Sequence, residues 1–247
     1  MSLTNPTSLV LIPALLCDEA MYREVIALME GDVVAQVHMA TRATMAANVA
    51  EILERAPERF VLGGSSYGGT VAIEVALAAP DRVAGLWLND CDPGASDPDA
   101  TLGLAGMLEQ ATDAAVTHLS SVVVRPQSTA AVATFKAMAN RMGGHAGASQ
   151  ARALAGRSSA WERLGELTMP ALVLWGDEDA AIPLDVGRRM SASLPNSHFH
   201  LLEHCGHLPA LEQPEQVALV VREWMEDLPR RPTAVRTEVT SSPVRSE

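Results

Sequence analysis

Apolar residues fall into two alternating patterns along the chain, and the alternation predicts its architecture. Short runs rich in Leu, Val and Ile read as strands at residues 8–13, 33–38, 59–63, 83–89, 171–175 and 198–202. Longer stretches, with apolar residues three and four apart, read as helices at 19–29, 45–56, 68–79 and 215–226. Pro57 and Pro80 stop two of these helices, because proline has no N–H to donate and its ring crowds the preceding turn. Strands separated by helices imply βαβ units. The expected class is therefore α/β, with a doubly wound, mostly parallel sheet covered by helices on both faces.

The alternation breaks after the fourth strand. Residues 92–167 carry no strand pattern and read as Ala-rich helices at 102–120, 129–142 and 149–161, with Gly143-Gly144 as a break. A wholly helical insert in such a sheet reads as a lid over its edge. The division is then a core at 1–91 and 168–228, a helical lid at 92–167 and a tail at 229–247. The tail is polar and lacks apolar periodicity, so it is expected to be disordered.

Composition narrows the function. A chain of 247 residues suits one such domain with one insertion. Its formal net charge of −12 repels phosphate backbones and anionic lipid surfaces, which argues against nucleic-acid and membrane partners. No Lys or Arg precedes Arg23, so no secretory signal is expected. Ala14-Leu15-Leu16-Cys17 faintly resembles a lipoprotein cleavage site, but Leu16 is too large for the residue before the cysteine. Cys17, Cys91 and Cys205 form no CxxC pair and are odd in number, which suggests neither disulfides nor a zinc site and fits a reducing cytoplasm.

Gly64-Ser65-Ser66-Tyr67-Gly68 matches G-x-S-x-G at a strand end, immediately before a helix. That context makes Ser66 a candidate nucleophile on a sharp turn, with glycines where a Cβ would clash. The N–H of Tyr67, at the helix start, is aimed where an oxyanion would form. The bland alternative is a Ser-rich helix cap. Among seven histidines, His207 follows the last strand and lies on the rim that carries the elbow. His204 is its rival. His38 lies near a sheet edge, His118 and His145 lie in the lid, and His198 and His200 share a strand face. A metal site built from His198, His200, His204 and His207 lacks a zinc-like ligand pattern. Candidate acids follow two strands: Asp90 and Asp92 after the fourth, Asp177 and Asp179 after the fifth.

Together these features resemble the α/β-hydrolase superfamily, and more narrowly its small bacterial esterase-like serine hydrolases with a helical lid. The resemblance spans residues 8–227. It is carried by Leu11-Ile12-Pro13-Ala14-Leu15-Leu16-Cys17-Asp18, Ala79-Pro80-Asp81-Arg82-Val83, Gly176-x-x-Asp179-x-x-x-Pro183 and Gly206-His207-x-x-x-x-Glu212-x-Pro214-Glu215. It implies six strands in the order 2-1-3-4-5-6 and a Ser66–His207–Asp179 triad. Asp177, one residue past Gly176, reads by position as a turn cap, and Asp90 and Asp92, beside Pro93-Gly94, read as turn and helix-start chemistry entering the lid. The resemblance also implies a second oxyanion N–H from Leu15, in a loop where Ala14 replaces the usual glycine and its methyl narrows the loop or shifts that N–H. Cys17 and Cys205 are then small buried hydrophobes near the site.

The expected reaction is hydrolysis of a carboxylic ester or lactone through an acyl-enzyme, with a small-molecule substrate and neither cofactor nor metal. Leu104, Met107, Phe135, Met138 and Met142, interrupted by the acid Glu109, suggest an apolar pocket, though lid packing alone would also place them inside. Two other classes stay open, because fold does not fix reaction. One is a cofactor-free lyase or oxygenase on this fold; the other is a ligand sensor with a slow hydrolase site.

Overall fold

A computed structural model describes residues 6–229, and the tail expected to be disordered lies outside them apart from Pro229. Among the described residues, six strands form one sheet in the order β2-β1-β3-β4-β5-β6, and every pairing is parallel rather than mostly so. They are β1 (Thr7–Ile12), β2 (Val33–Val37), β3 (Phe60–Ser65), β4 (Val83–Asn89), β5 (Ala171–Gly176) and β6 (Ser197–Leu202). Central strands β3 and β5 are buried at every residue, whereas edge strands β2 and β6 alternate between half-buried and exposed positions. Such continuous apolar runs are what a parallel sheet covered on both faces requires.

The two-residue period of a strand divides the core. Leu9, Leu11, Val61, Trp87, Leu172 and Leu174 face one side, against α1 (Arg23–Leu28) and the helix Pro214–Glu226. Val10, Ile12, Leu62, Leu88, Val173 and Trp175 face the other, against α2 (Met45–Arg55) and α3 (Tyr67–Ala78).

Between β4 and β5 the chain forms α4 (Pro98–Gln110), α5 (Thr112–Val123) and α6 (Thr129–Ala155). Asp97 caps α4 through the N–H groups of Asp99 and Ala100, and Pro98 starts it where no donor is needed. The expected helix at 102–120 is thus two helices. The break expected at Gly143-Gly144 is present: Gly143, at φ 75° and ψ 158°, separates two helices within Thr129–Ala155, and the second begins at the break and ends at Ala155, where 149–161 was expected. After it a 3₁₀ turn spans Trp161–Glu166. The helix expected at 19–29 begins as a 3₁₀ turn, Glu19–Met21, before α1.

One helix was not anticipated. α7 (Leu184–Ser193) joins β5 to β6 and buries only Gly187 and Met190, a stripe too thin to read from pattern. Short α8 (Pro209–Glu212) and α9 (Pro214–Glu226) close the fold. No helix among the described residues is long and apolar enough to cross a membrane.

Candidate active site

β1 lies between β2 and β3, so the chain winds in opposite directions on its two sides and leaves a crevice at the carboxyl ends of β1 and β3. Backbone strain concentrates on that rim. The non-glycine residues with positive φ among those described are Leu16, Ser66, Asp90 and His204, which follow β1, β3, β4 and β6 respectively.

Ser66 links β3 to α3 with φ 52° and ψ −119°. The flanking glycines explain how the elbow closes. A Cβ on Gly64 would strike the backbone of Gly68, and one on Gly68 would strike the carbonyls of Ile12 and Pro13 at the end of β1. The Ser66 N–H donates to the Asn89 carbonyl at 2.9 Å, which ties the elbow to β4.

His207, in the loop after β6, turns Nε2 to the Ser66 hydroxyl at 2.7 Å and Nδ1 to Asp179 Oδ2 at 2.8 Å. The side chains of His207 and Asp179 are 3% and 1% exposed, so little water competes for these bonds. Asp179 Oδ1 accepts the N–H groups of Ala181 and Ile182 at 2.7 and 3.0 Å, which fixes the carboxylate's orientation. The geometry therefore joins Ser66, His207 and Asp179 in one hydrogen-bonded chain.

The other candidates separate. His204 is exposed and pairs with Glu178 at 3.2 Å, while His198 and His200 are exposed on β6. Asp177 does not cap its own turn. Its carboxylate accepts the Cys205 N–H at 3.2 Å and ties the β5 loop to the His207 loop. Asp92 does serve a turn, accepting the Gly94 N–H at 2.7 Å.

Asp90 needs a larger correction, because turn chemistry does not describe it. It is fully buried, accepts the Gly176 N–H at 2.9 Å through Oδ1, and leaves Oδ2 without a hydrogen-bond partner. Burial, reinforced by the neighbouring Asp179 charge, pushes its carboxyl well above the usual carboxylate range. Its only sequence signal was an acid directly after a central strand. Asp90, Asp179 and His207 place ligand atoms within 4.8 Å of one another, the closest approach to a metal-binding set among the described residues. The His207 nitrogen on that side is already bonded to Asp179, and Asp90 bonds the Gly176 N–H, so of the three only His207 and Asp179 are joined by a hydrogen bond.

Leu15 and Tyr67 line the same cavity as Ser66 and His207, and neither backbone N–H donates to another group among the described residues. Ala14 has no positive φ; the loop's left-handed residue is Leu16, at φ 62°, so the methyl of Ala14 fits without a glycine's freedom. Cys17 and Cys205 are buried, and burial pushes both thiols far up, which suits packing and not nucleophilic chemistry.

The cavity, about 430 Å³, is lined on its apolar side by Leu104, Leu119, Val123, Phe135 and Ile182. Leu104 and Phe135 thus reach it as expected. Met138 packs into the core and Met107 is exposed, while Glu109 pairs with Arg152 at 2.8 Å. Arg157, unremarked in the sequence, also lines the cavity. Its Nη1 donates to the Asp92 carbonyl at 2.7 Å, its Nε to Ser96 at 3.1 Å, and no carboxylate of the described residues lies within 4.0 Å.

Known proteins carry the same fold. An esterase from Thermogutta terrifontis superposes with a TM-score of 0.81 at 24% identity, covering 89% of each chain. An enol-lactonase from Burkholderia xenovorans does so at 0.82 with 17% identity, covering 91% of this chain and 93% of that one. In sequence, a 2-hydroxy-6-oxononadienedioate/2-hydroxy-6-oxononatrienedioate hydrolase of Cupriavidus pinatubonensis is 32% identical over 162 residues, 61% of this chain and 56% of that protein. Its counterpart in Paraburkholderia phymatum is 32% identical over 171 residues, 64% of this chain and 59% of that protein. The chain thus spans little more than half the length of these relatives. The model of the alpha/beta hydrolase family matches residues 29–219. That match covers most of the 247 residues, and the chain belongs to the alpha/beta hydrolase family.

Proposed function

We propose that this protein is a serine hydrolase that cleaves a small, largely apolar carboxylic ester or lactone through an acyl-enzyme. The observation that carries the reading is the chain Ser66 Oγ–His207–Asp179, with hydrogen bonds of 2.7 and 2.8 Å. His207 takes the Ser66 proton as Oγ attacks the ester carbonyl, and Asp179 stabilises the imidazolium that forms. The Leu15 and Tyr67 N–H groups hold the oxyanion, and the Tyr67 donor sits at the N-terminus of α3, where the helix dipole favours negative charge. Collapse of the tetrahedral intermediate expels the alcohol, which leaves with the proton from His207. Water then gives its proton to His207 and its oxygen to the acyl carbon, and the acid departs with Ser66 restored.

Helices α4–α6 act as the lid, and Leu104, Leu119 and Phe135 supply its apolar underside. The size and lining of the cavity suit a small molecule.

Arg157 favours a second reading of the substrate, as a molecule carrying a carboxylate. Burial holds its pKa below the usual arginine value, and Nη2 donates to no group of the described residues. The two curated relatives are named for dioate substrates containing a ketone. Turnover of p-nitrophenyl butyrate against mono-p-nitrophenyl glutarate, together with Ser66-dependent labelling by a fluorophosphonate, tests both readings. Steady release of p-nitrophenol from either compound supports the hydrolase, and a preference for the acidic one supports the second substrate class. A single turnover that leaves a stable adduct identifies a ligand sensor. Absence of both turnover and labelling overturns the proposal.

A further inference from the structure

The loop that presents Leu15 is held by the helical insertion. Ala14 and Cys17 close a turn, with the Cys17 N–H on the Ala14 carbonyl at 3.0 Å, and its third residue, Leu16, sits at φ 62°. Leucine rarely adopts that conformation, which is strained for a residue with a Cβ and persists only where the surroundings enforce it. The enforcing group is Gln150 on α6, 134 residues away, whose Oε1 accepts the Leu16 N–H at 2.9 Å. Its Nε2 donates to the Ala40 carbonyl at 3.3 Å. The same carbonyl accepts the Tyr67 hydroxyl at 3.0 Å, and that hydroxyl in turn accepts from Asn48 Nδ2 at 3.0 Å.

Gln150, Ala40, Tyr67 and Asn48 are all buried, so breaking any of these bonds strands a polar group away from water. A single buried network therefore connects the loop bearing one free N–H, that of Leu15, to the residue bearing the other, Tyr67. On the other side of the Gly143 kink, the same helical run is tied to this loop by Arg141, which makes a two-pronged ion pair with Asp18 at 2.7 and 3.1 Å.

We infer that Gln150 is a positioning residue that sets the spacing between the Leu15 and Tyr67 N–H groups, so that the insertion completes the oxyanion site as well as covering it. The inference rests on the acyl-transfer reading above. Gln150 does not line the cavity, so its loss leaves ground-state contacts with the substrate in place and weakens only the hold on the tetrahedral state.

The experiment compares wild type with Gln150→Met, which keeps the length and loses both bonds, and with Gln150→Glu, which keeps the acceptor for Leu16. The readouts are kcat, KM and the inhibition constant of phenylboronic acid, whose tetrahedral adduct on Ser66 places an oxygen at the oxyanion site. Gln150→Met should lower kcat roughly 10- to 100-fold with KM within about two-fold, and should weaken boronate binding by the factor lost from kcat/KM. Gln150→Glu should lose several-fold less than Met while remaining below wild type. A folded Gln150→Met enzyme with wild-type kcat and boronate affinity overturns the inference. If Gln150→Met does not fold, wild-type kcat in Gln150→Glu overturns it equally. A wild-type protein with no ester turnover fails the functional reading itself, and is distinguishable because no variant is then involved.

Discussion

Replacing Asp90 by Asn should change how stability depends on pH. The carboxyl of Asp90 is fully buried, takes one N–H from Gly176 and lies beside Asp179. Burial and then the Asp179 charge raise its pKa, Glu212 adds to the rise, and the Gly176 bond opposes it. The sign follows from proton binding. The unfolded chain releases this proton near pH 4, while the raised pKa makes the folded chain release it at higher pH, so between the two the native state binds more protons and stability falls as pH rises. One proton retained by the native state costs about 1.4 kcal/mol per pH unit. Asn has the same shape, accepts the same N–H and has no proton to lose.

As pH rises from the unfolded value toward the raised folded one, the wild type should therefore lose stability relative to Asp90→Asn, by at most about 1.4 kcal/mol per pH unit. In a chain of this size each such unit equals roughly 3–6 °C of Tm. Scanning calorimetry of both proteins at pH 5, 6 and 7 measures it. The fixed cost of the substitution cancels, because the comparison is between pH values. The ionisable groups around Asp90 (Asp179, Glu212, Cys91, Cys205 and His207) are present in both proteins. A Tm difference constant to within about a degree across that range would refute the upward shift of the Asp90 carboxyl.

The remaining expectations concern turnover and the chain end. Asp179→Asn should cut kcat by up to about ten-thousand-fold in a folded protein, because His207 loses the acceptor that fixes its tautomer, while Asp90→Asn should stay within about three-fold of wild type. Steady-state kinetics decide, and a dead Asp90→Asn enzyme beside a near-normal Asp179→Asn enzyme would move the acid to β4. Ser66→Ala should abolish both ester turnover and fluorophosphonate labelling; labelling that persists would place the nucleophile elsewhere. Prolonged EDTA treatment should leave activity intact, and inactivation reversed by zinc would show that the Asp90, Asp179 and His207 set holds a metal. Deleting residues 230–247 should leave turnover and Tm unchanged, and a drop of several degrees would show that the tail docks on the body.

Local pattern reached as far as local physics does. The central strands were legible because a strand buried on both faces has to be a short continuous apolar run, as β3 and β5 are. The elbow was legible because its glycines answer a clash that recurs wherever a strand turns so sharply into a helix, and Ser66, Tyr67 and His207 each stand at a strand end that the pattern located. Resemblance, not pattern, distinguished Asp179 from Asp90, since both are acids following a central strand.

Tertiary structure decided the rest, because the deciding contacts join residues far apart in sequence. Asp90 became a buried neighbour of Asp179, its carboxyl pushed up from the usual range, only once β4 and β5 paired and water was excluded from between them. Ala14 fits without a glycine's freedom because the left-handed position falls two residues later, at Leu16. Gln150 reads as one more polar residue on an Ala-rich helix until folding carries its amide 134 residues back, to the N–H of Leu16. A hydrogen bond of that range leaves no periodicity in either partner's neighbourhood, so only the folded chain reveals it.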